Sequence, residues 1–202
     1  PLWSRGLGDV YKRQVLGFAA QRYEATLKEA LVTHLKEMPN IGEVTLSIET
    51  KISAHAVQKN LKPLQNVKNI IVVASAKGGV GKSTTAVNVA LALALEGAQV
   101  GILDADIYGP SIPTMLGLSG APETFDNKTM QPKVAHGIQT MSIGYLVSDD
   151  QALIWRGPMV TNALRQLLNE THWDKLDYLI MDLPPGTGDI QLTLAQSIPV
   201  SG

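Results

Sequence analysis

The sequence predicts an α/β fold: a mostly parallel sheet flanked by helices, preceded by the remnant of a small α+β domain. Three observations carry this. From about residue 63 onward, apolar β-branched runs alternate with segments of helical period, which implies parallel strands covered on both faces. A glycine-rich run, Ser75-Ala76-Lys77-Gly78-Gly79-Val80-Gly81-Lys82-Ser83-Thr84, joins one such strand to one such helix. Two further apolar strands end in acids, at Asp104 and Asp182. In open α/β sheets ligands bind at the carboxyl ends of strands, so these features belong to one edge.

The elements follow in order. Residues 1–14 (PLWSRGLGDVYKRQ) show no clear period and read as a non-native leader, with a short ordered strand as the bland alternative. Residues 15–62 are assigned to the small α+β remnant and its linker. In it Ala25, Leu27, Ala30, Leu31 and Leu35 fall at helical spacing between Tyr23 and Met38. Pro39-Asn40-Ile41-Gly42 breaks that helix, and Val44 to Ile48 alternates as a strand. Gln58 to Lys68 is a polar linker into the main domain, placed at 63–202. There the expected order is a strand at 69–75, a helix at 82–95, a strand from Gln99 to Leu103, and a Gly/Pro-rich stretch. A strand from Ile138 to Ile143, a helix from Met159 to Leu168, a strand from Tyr178 to Met181 and a helix from Ile190 to Gln196 complete it.

Composition narrows the function. The chain has 202 residues, 45% of them hydrophobic, with 17 basic and 18 acidic side chains. Such balance offers no global electrostatic case for nucleic acid or an anionic membrane. No apolar run approaches the length of a membrane span, and no segment has the three regions of a signal peptide, so the cytoplasm is the expected compartment. Cysteine is absent, which excludes disulfides and thiolate metal sites within these residues. His34, His55, His136 and His172 are scattered without ligand spacing.

The glycine run carries the chemistry. Strand, glycine loop and helix together cradle nucleotide phosphates, because bare glycines let backbone N–H groups point inward and the helix adds the positive end of its dipole. The predicted contact residues are Ala76, Lys77, Gly78, Gly79, Val80, Gly81, Lys82, Ser83 and Thr84, with ATP as ligand. Lys82 supplies a point charge for the β- and γ-phosphates and Ser83 a hydroxyl for Mg²⁺. The alternative is a merely structural glycine turn. Ala76 stands where the usual pattern has glycine, so the loop either takes negative φ there or is slightly strained.

Asp104 and Asp106 follow a strand, and one of them could position Mg²⁺ while the other orients the attacking water. Loop-capping is the plain alternative for both. Asp182 ends a hydrophobic strand and is placed on Mg²⁺, through water, and on Ser83. Behind it Pro184-Pro185-Gly186-Thr187-Gly188-Asp189 is stiffened by prolines and hinged by glycines, so the Gly186 N–H could sense a γ-phosphate. Lys77 lies five positions before Lys82, where it could reach the phosphates of a facing subunit; the alternative is a solvated lysine. Gly157-Pro158 starts a helix, and Arg156 is left between a switch-facing and a partner-facing role.

Assembled, these motifs resemble the deviant Walker A ATPases, which include MinD, ParA and the nitrogenase iron protein. The resemblance is closer to the Mrp/ApbC branch, the iron–sulfur cluster carrier ATPases, through residues 76–83, 104–111, 155–159 and 182–189. It implies an ATP-dependent homodimer that binds a [4Fe-4S] cluster at its interface and hands it to apo-proteins. It further implies that Lys77 acts across the dimer, that Asp106 orients water, and that Ser83 and Asp182 form the Mg²⁺ side. In that family the cluster is held by a Cys-x-x-Cys pair beyond the last residue here, so the chain is expected to be part of a longer product. Two other classes compete. A spatial-organisation ATPase of the ParA/MinD type needs a basic dimer face or a terminal amphipathic helix. A metabolic enzyme on the same scaffold needs a substrate pocket of specific polar groups.

Overall fold

The computed structural model describes residues 8–55, 61–125, 128–146, 157–187 and 198–201. They form two compact units, one of residues Pro1–Ser53 with Leu95–Gly97, the other of Ala54–Ala94 with Ala98–Gly202.

The first unit is a βαβ crossover. Strand β1 (Gly8–Leu16) and strand β2 (Ile41–Thr50) pair in parallel, joined through helix α1 (Glu24–Lys36). β1 crosses the leader boundary set at residue 14, so the described part of that segment, from Gly8 to Gln14, is extended backbone. The polar-rich sequence hid the alternation: Val10, Gln14 and Leu16 are the less exposed positions, while Tyr11 and Val15 face outward at 69% and 46% exposure. The expected break after α1 holds, with Asn40 at φ 66° turning the chain. Arg13 and Glu49 form an ion pair across the outer face of the ribbon.

In the second unit, strands β3 (Val67–Val73), β4 (Val100–Asp104), β5 (Lys133–Ala135), β6 (Ile138–Ser142) and β7 (Leu176–Asp182) make one sheet of order β3-β7-β4-β6-β5. All pairings are parallel except β5 with β6, a hairpin whose turn places His136 and Gly137 at φ 51° and 77°. Helix α2 (Lys82–Leu95) has the predicted bounds. Its buried positions Ala86, Val87 and Ala90 share one stripe, and their small side chains permit close approach. Helix α3 (Ile112–Leu116) lies inside the stretch expected to be irregular, with proline in its first turn and Gly117 left-handed at its end. Helix α4 (Gly157–Glu170) starts at the anticipated Gly-Pro and buries Leu164, Leu167 and Leu168. The expected helix from Ile190 to Gln196 and the pair Trp155-Arg156 lie outside the described residues.

The core centres on β7 and β4. Every residue of both strands is buried, as a sheet covered on both faces requires. Parallel register then aligns the strand ends: Val73 opposes Asp182, Asp182 opposes Asp104, and Asp104 opposes Ser142. One row of residues across four strands thus delivers two carboxylates and a hydroxyl to the carboxyl edge.

Candidate nucleotide-binding site

The glycine loop connects β3 to α2 and stands over that row. Gly79 and Gly81 take φ of 74° and 85°, a conformation side-chain-bearing residues rarely adopt, and a Cβ added at either would meet nothing within 4 Å. Glycine is needed there for backbone shape, and the space beyond is open. Ala76 is not among the residues at positive φ, which settles the alternative left by the sequence: the loop accommodates alanine without strain. The first N–H groups of α2 have no acceptor within the helix and face the same opening as its dipole.

Lys82 is the hub. Although it opens a helix, it is only 9% exposed, and its Nζ lies 2.5 Å from Asp182 Oδ1, 3.4 Å from Asp106 Oδ2 and 3.3 Å from Ser83 Oγ. Four residues from three separate elements therefore converge on one point. Burial raises the Asp106 carboxyl above its ordinary pKa, and the Lys82 charge opposes that rise. The second oxygen of Asp182 is buried and has no hydrogen-bond partner among the described residues. The orphaned Asp182 oxygen is a hard donor of the kind Mg²⁺ takes, although among the described residues no group of three or more acids or histidines is arranged to hold a metal ion by itself.

Asp104 has different work. Its Oδ1 accepts the Asp106 N–H at 3.1 Å, and its Oδ2 accepts the Ile112 N–H at 3.1 Å and the Ser142 hydroxyl at 3.2 Å. With no exposure and both oxygens engaged by the chain, it ties down the loop after β4, the capping alternative from the sequence. Burial pushes its pKa up to about 7, against the lowering effect of these hydrogen bonds.

Gly186, the expected phosphate sensor, has its N–H engaged by the chain. Its φ of 129° requires glycine, but its N–H donates to the Ser75 carbonyl at 2.9 Å. This bond ties the rear loop to the start of the glycine-rich run. Pro185 packs there too, its Cγ 3.9 Å from where a Cβ on Gly78 would lie. Gly188 and Asp189 lie outside the described residues. Lys77 and Val80 are exposed on the loop, Thr84 is exposed on the first turn of α2, and Lys77 has no ion-pair partner among the described residues. Ser142 was missed by sequence reasoning. Its one signal is a polar residue ending an apolar strand, the pattern that marks Asp104 and Asp182.

Comparison with known proteins agrees with this geometry. Residues 66–202 match the model of the ParA family, described as NUBPL iron-transfer P-loop NTPase, and the chain belongs to that family. It is 57% identical over 177 residues to an iron-sulfur cluster carrier protein of Escherichia coli (strain K12), covering 87% of this chain and 48% of the relative. The iron-sulfur cluster transfer protein NUBPL of Mus musculus is 53% identical over 155 residues, covering 76% and 48% respectively. Among solved structures, a nucleotide-binding protein from Archaeoglobus fulgidus in complex with ADP superposes with a TM-score of 0.56 at 41% identity, covering 65% of this chain and 50% of that one. The chain spans about half the length of the curated relatives it matches.

Proposed function

We propose that this chain is the ATP-binding and ATP-hydrolysing part of a cytoplasmic carrier that delivers iron–sulfur clusters to apo-proteins. The observation that carries the reading is the convergence of Lys82, Asp182, Asp106 and Ser83 beneath a glycine loop of the required backbone shape. In it the N–H groups of residues 76–84 and the start of α2 grip the phosphates. Lys82 exchanges part of its carboxylate contact for phosphate oxygens. Ser83 and the orphaned oxygen side of Asp182 would hold Mg²⁺, which supplies charge neutralisation between the β- and γ-phosphates. Asp106, near Lys82 and slightly exposed, orients the water that attacks the γ-phosphorus.

The exposed Lys77 acts on the phosphates of a second copy of the chain, so the active unit is a homodimer. Val80 and Tyr108, 52% and 62% exposed in the two loops beside the site, supply apolar surface for that contact. The cluster, a [4Fe-4S] group by the resemblance, is cargo. These 202 residues contain no cysteine, so thiolates from elsewhere must hold it. Among the described residues no helix is long and apolar enough to cross a membrane.

Titration of the chain with ATP, with and without Mg²⁺, tests the central claim. Saturable binding that weakens at least tenfold in Lys82→Ala is expected, and no saturable binding rejects it. For the carrier role, the full-length product reconstituted with iron and sulfide must activate an apo-enzyme, faster with ATP than without.

A further inference from the structure

We propose that Ser142 is a positioning residue: through Asp104 it fixes the loop that carries Asp106 beside Lys82. The inference rests on the nucleotide reading of the site and deepens it, because Ser142 touches neither Lys82 nor the glycine loop through any hydrogen bond.

Ser142 ends β6 and is fully buried. Its Oγ accepts the Gly144 N–H at 3.0 Å, so the single hydroxyl proton is left for Asp104 Oδ2, 3.2 Å away. That carboxylate in turn receives two backbone N–H groups, from Asp106 and from Ile112. These amides bracket the segment 106–112, so one carboxylate holds both ends of the loop and one hydroxyl holds the carboxylate. Asp106 itself projects from the first clamped position, 3.4 Å from Lys82 Nζ.

A second contact supports the middle of the same loop. A Cβ on Gly144 would lie 3.1 Å from Pro110 Cβ and 3.2 Å from Pro110 Cγ, tighter than ordinary packing. The short 3-10 turn at Ile143–Tyr145 therefore rests directly on Pro110. That Cβ would also lie 3.2 Å from Ser142 Oγ, so an added methyl presses on the loop and on the hydroxyl that anchors it. The acceptance of three donors by a single buried carboxylate also explains why this residue is an acid: a neutral amide would turn one N–H against the loop amides.

The experiment compares the wild-type chain with Ser142→Ala, Ser142→Thr and Gly144→Ala by amide hydrogen exchange and by ATP turnover and binding. In Ser142→Ala, exchange at the Asp106 and Ile112 amides is expected to rise about tenfold, the scale of one lost hydrogen bond to a charged acceptor, while Ile102 and Leu103 stay unchanged. The kcat should fall about tenfold with the ATP Kd held within about twofold. Ser142→Thr, which keeps the hydroxyl, should restore both, and Gly144→Ala should lower kcat with affinity retained. Unchanged exchange at 106 and 112, a uniform rise that includes β4, or kcat and affinity falling together would overturn the proposal. A wild-type chain without saturable ATP binding sinks the nucleotide reading instead, and the exchange pattern then decides the loop coupling alone.

Discussion

The two parallel pairings at either end of the chain have the same hydrogen-bond pattern and opposite surroundings. In β7 every side chain is buried and the strand has a neighbour on each side. In β1 Leu16 alone among the described side chains is buried, the sheet has two strands, and the ion pair Arg13–Glu49 stands in solvent. Backbone pairing is therefore not what separates a strand that can hold a buried acid from one that cannot. A carboxylate such as Asp182 keeps a fixed place because apolar neighbours on both faces leave it no alternative, and the same neighbours make its charge costly unless a cation is near.

That contrast can be broken at its strongest point first. Lys82→Met keeps the apolar stem but removes the ammonium from between Asp182 and Asp106. The chain should lose about 3–5 kcal/mol in urea unfolding, as expected when a buried pair loses one member. Next, Ile180→Ala in β7, where the side chain has no exposure, should cost about 2–5 kcal/mol. The matching Val15→Ala in β1 should cost less than about 0.5 kcal/mol in the same measurement. Equal losses in the two strands would dissolve the distinction.

A third test uses pH. The Asp104 carboxyl sits at about 7 in the folded chain and near 3.8 when exposed, so between those values the folded state binds the extra proton. Its contribution to stability is complete below the lower value and is lost as pH rises through the upper one. Within that window stability should fall by at most about 1.4 kcal/mol per pH unit from this group, and Asp104→Asn should flatten the slope in unfolding curves collected from pH 4 to 8. The smallest effect is expected at Arg13→Ala. Its partner is on an exposed face, and the unfolding midpoint should not move measurably.

How much could be read in advance follows from the range of each signal. Helix α2 was legible to the residue because its loop, its small-residue stripe and its length are local. The hubs Lys82, Ser83, Asp106 and Asp182 were legible as candidates for the same reason: each closes a short motif. Helix α3 was not, since five residues cannot display a period, and β5 is three residues marked only by the turn after it. The anchoring of the Asp104 carboxylate was out of reach. It depends on β4 lying beside β6 in one register, a pairing that brings Ser142 to a residue 38 positions away. At Gly186 the local feature was legible and its partner was not. A glycine hinge was apparent, but the carbonyl that its N–H meets is that of Ser75, at the start of the glycine-rich run more than a hundred residues upstream.

The seat of Lys82 has one more consequence. The Lys82 ammonium is the counter-charge of Asp182 and Asp106, so under the proposed function a polyanion would have to share it with them. Nucleotide arriving bare would leave those acids facing its own oxygens across a dry gap, whereas nucleotide escorted by a divalent ion returns more positive charge than it takes. Under the proposed function, the escorted form is the one this arrangement of charges would favour.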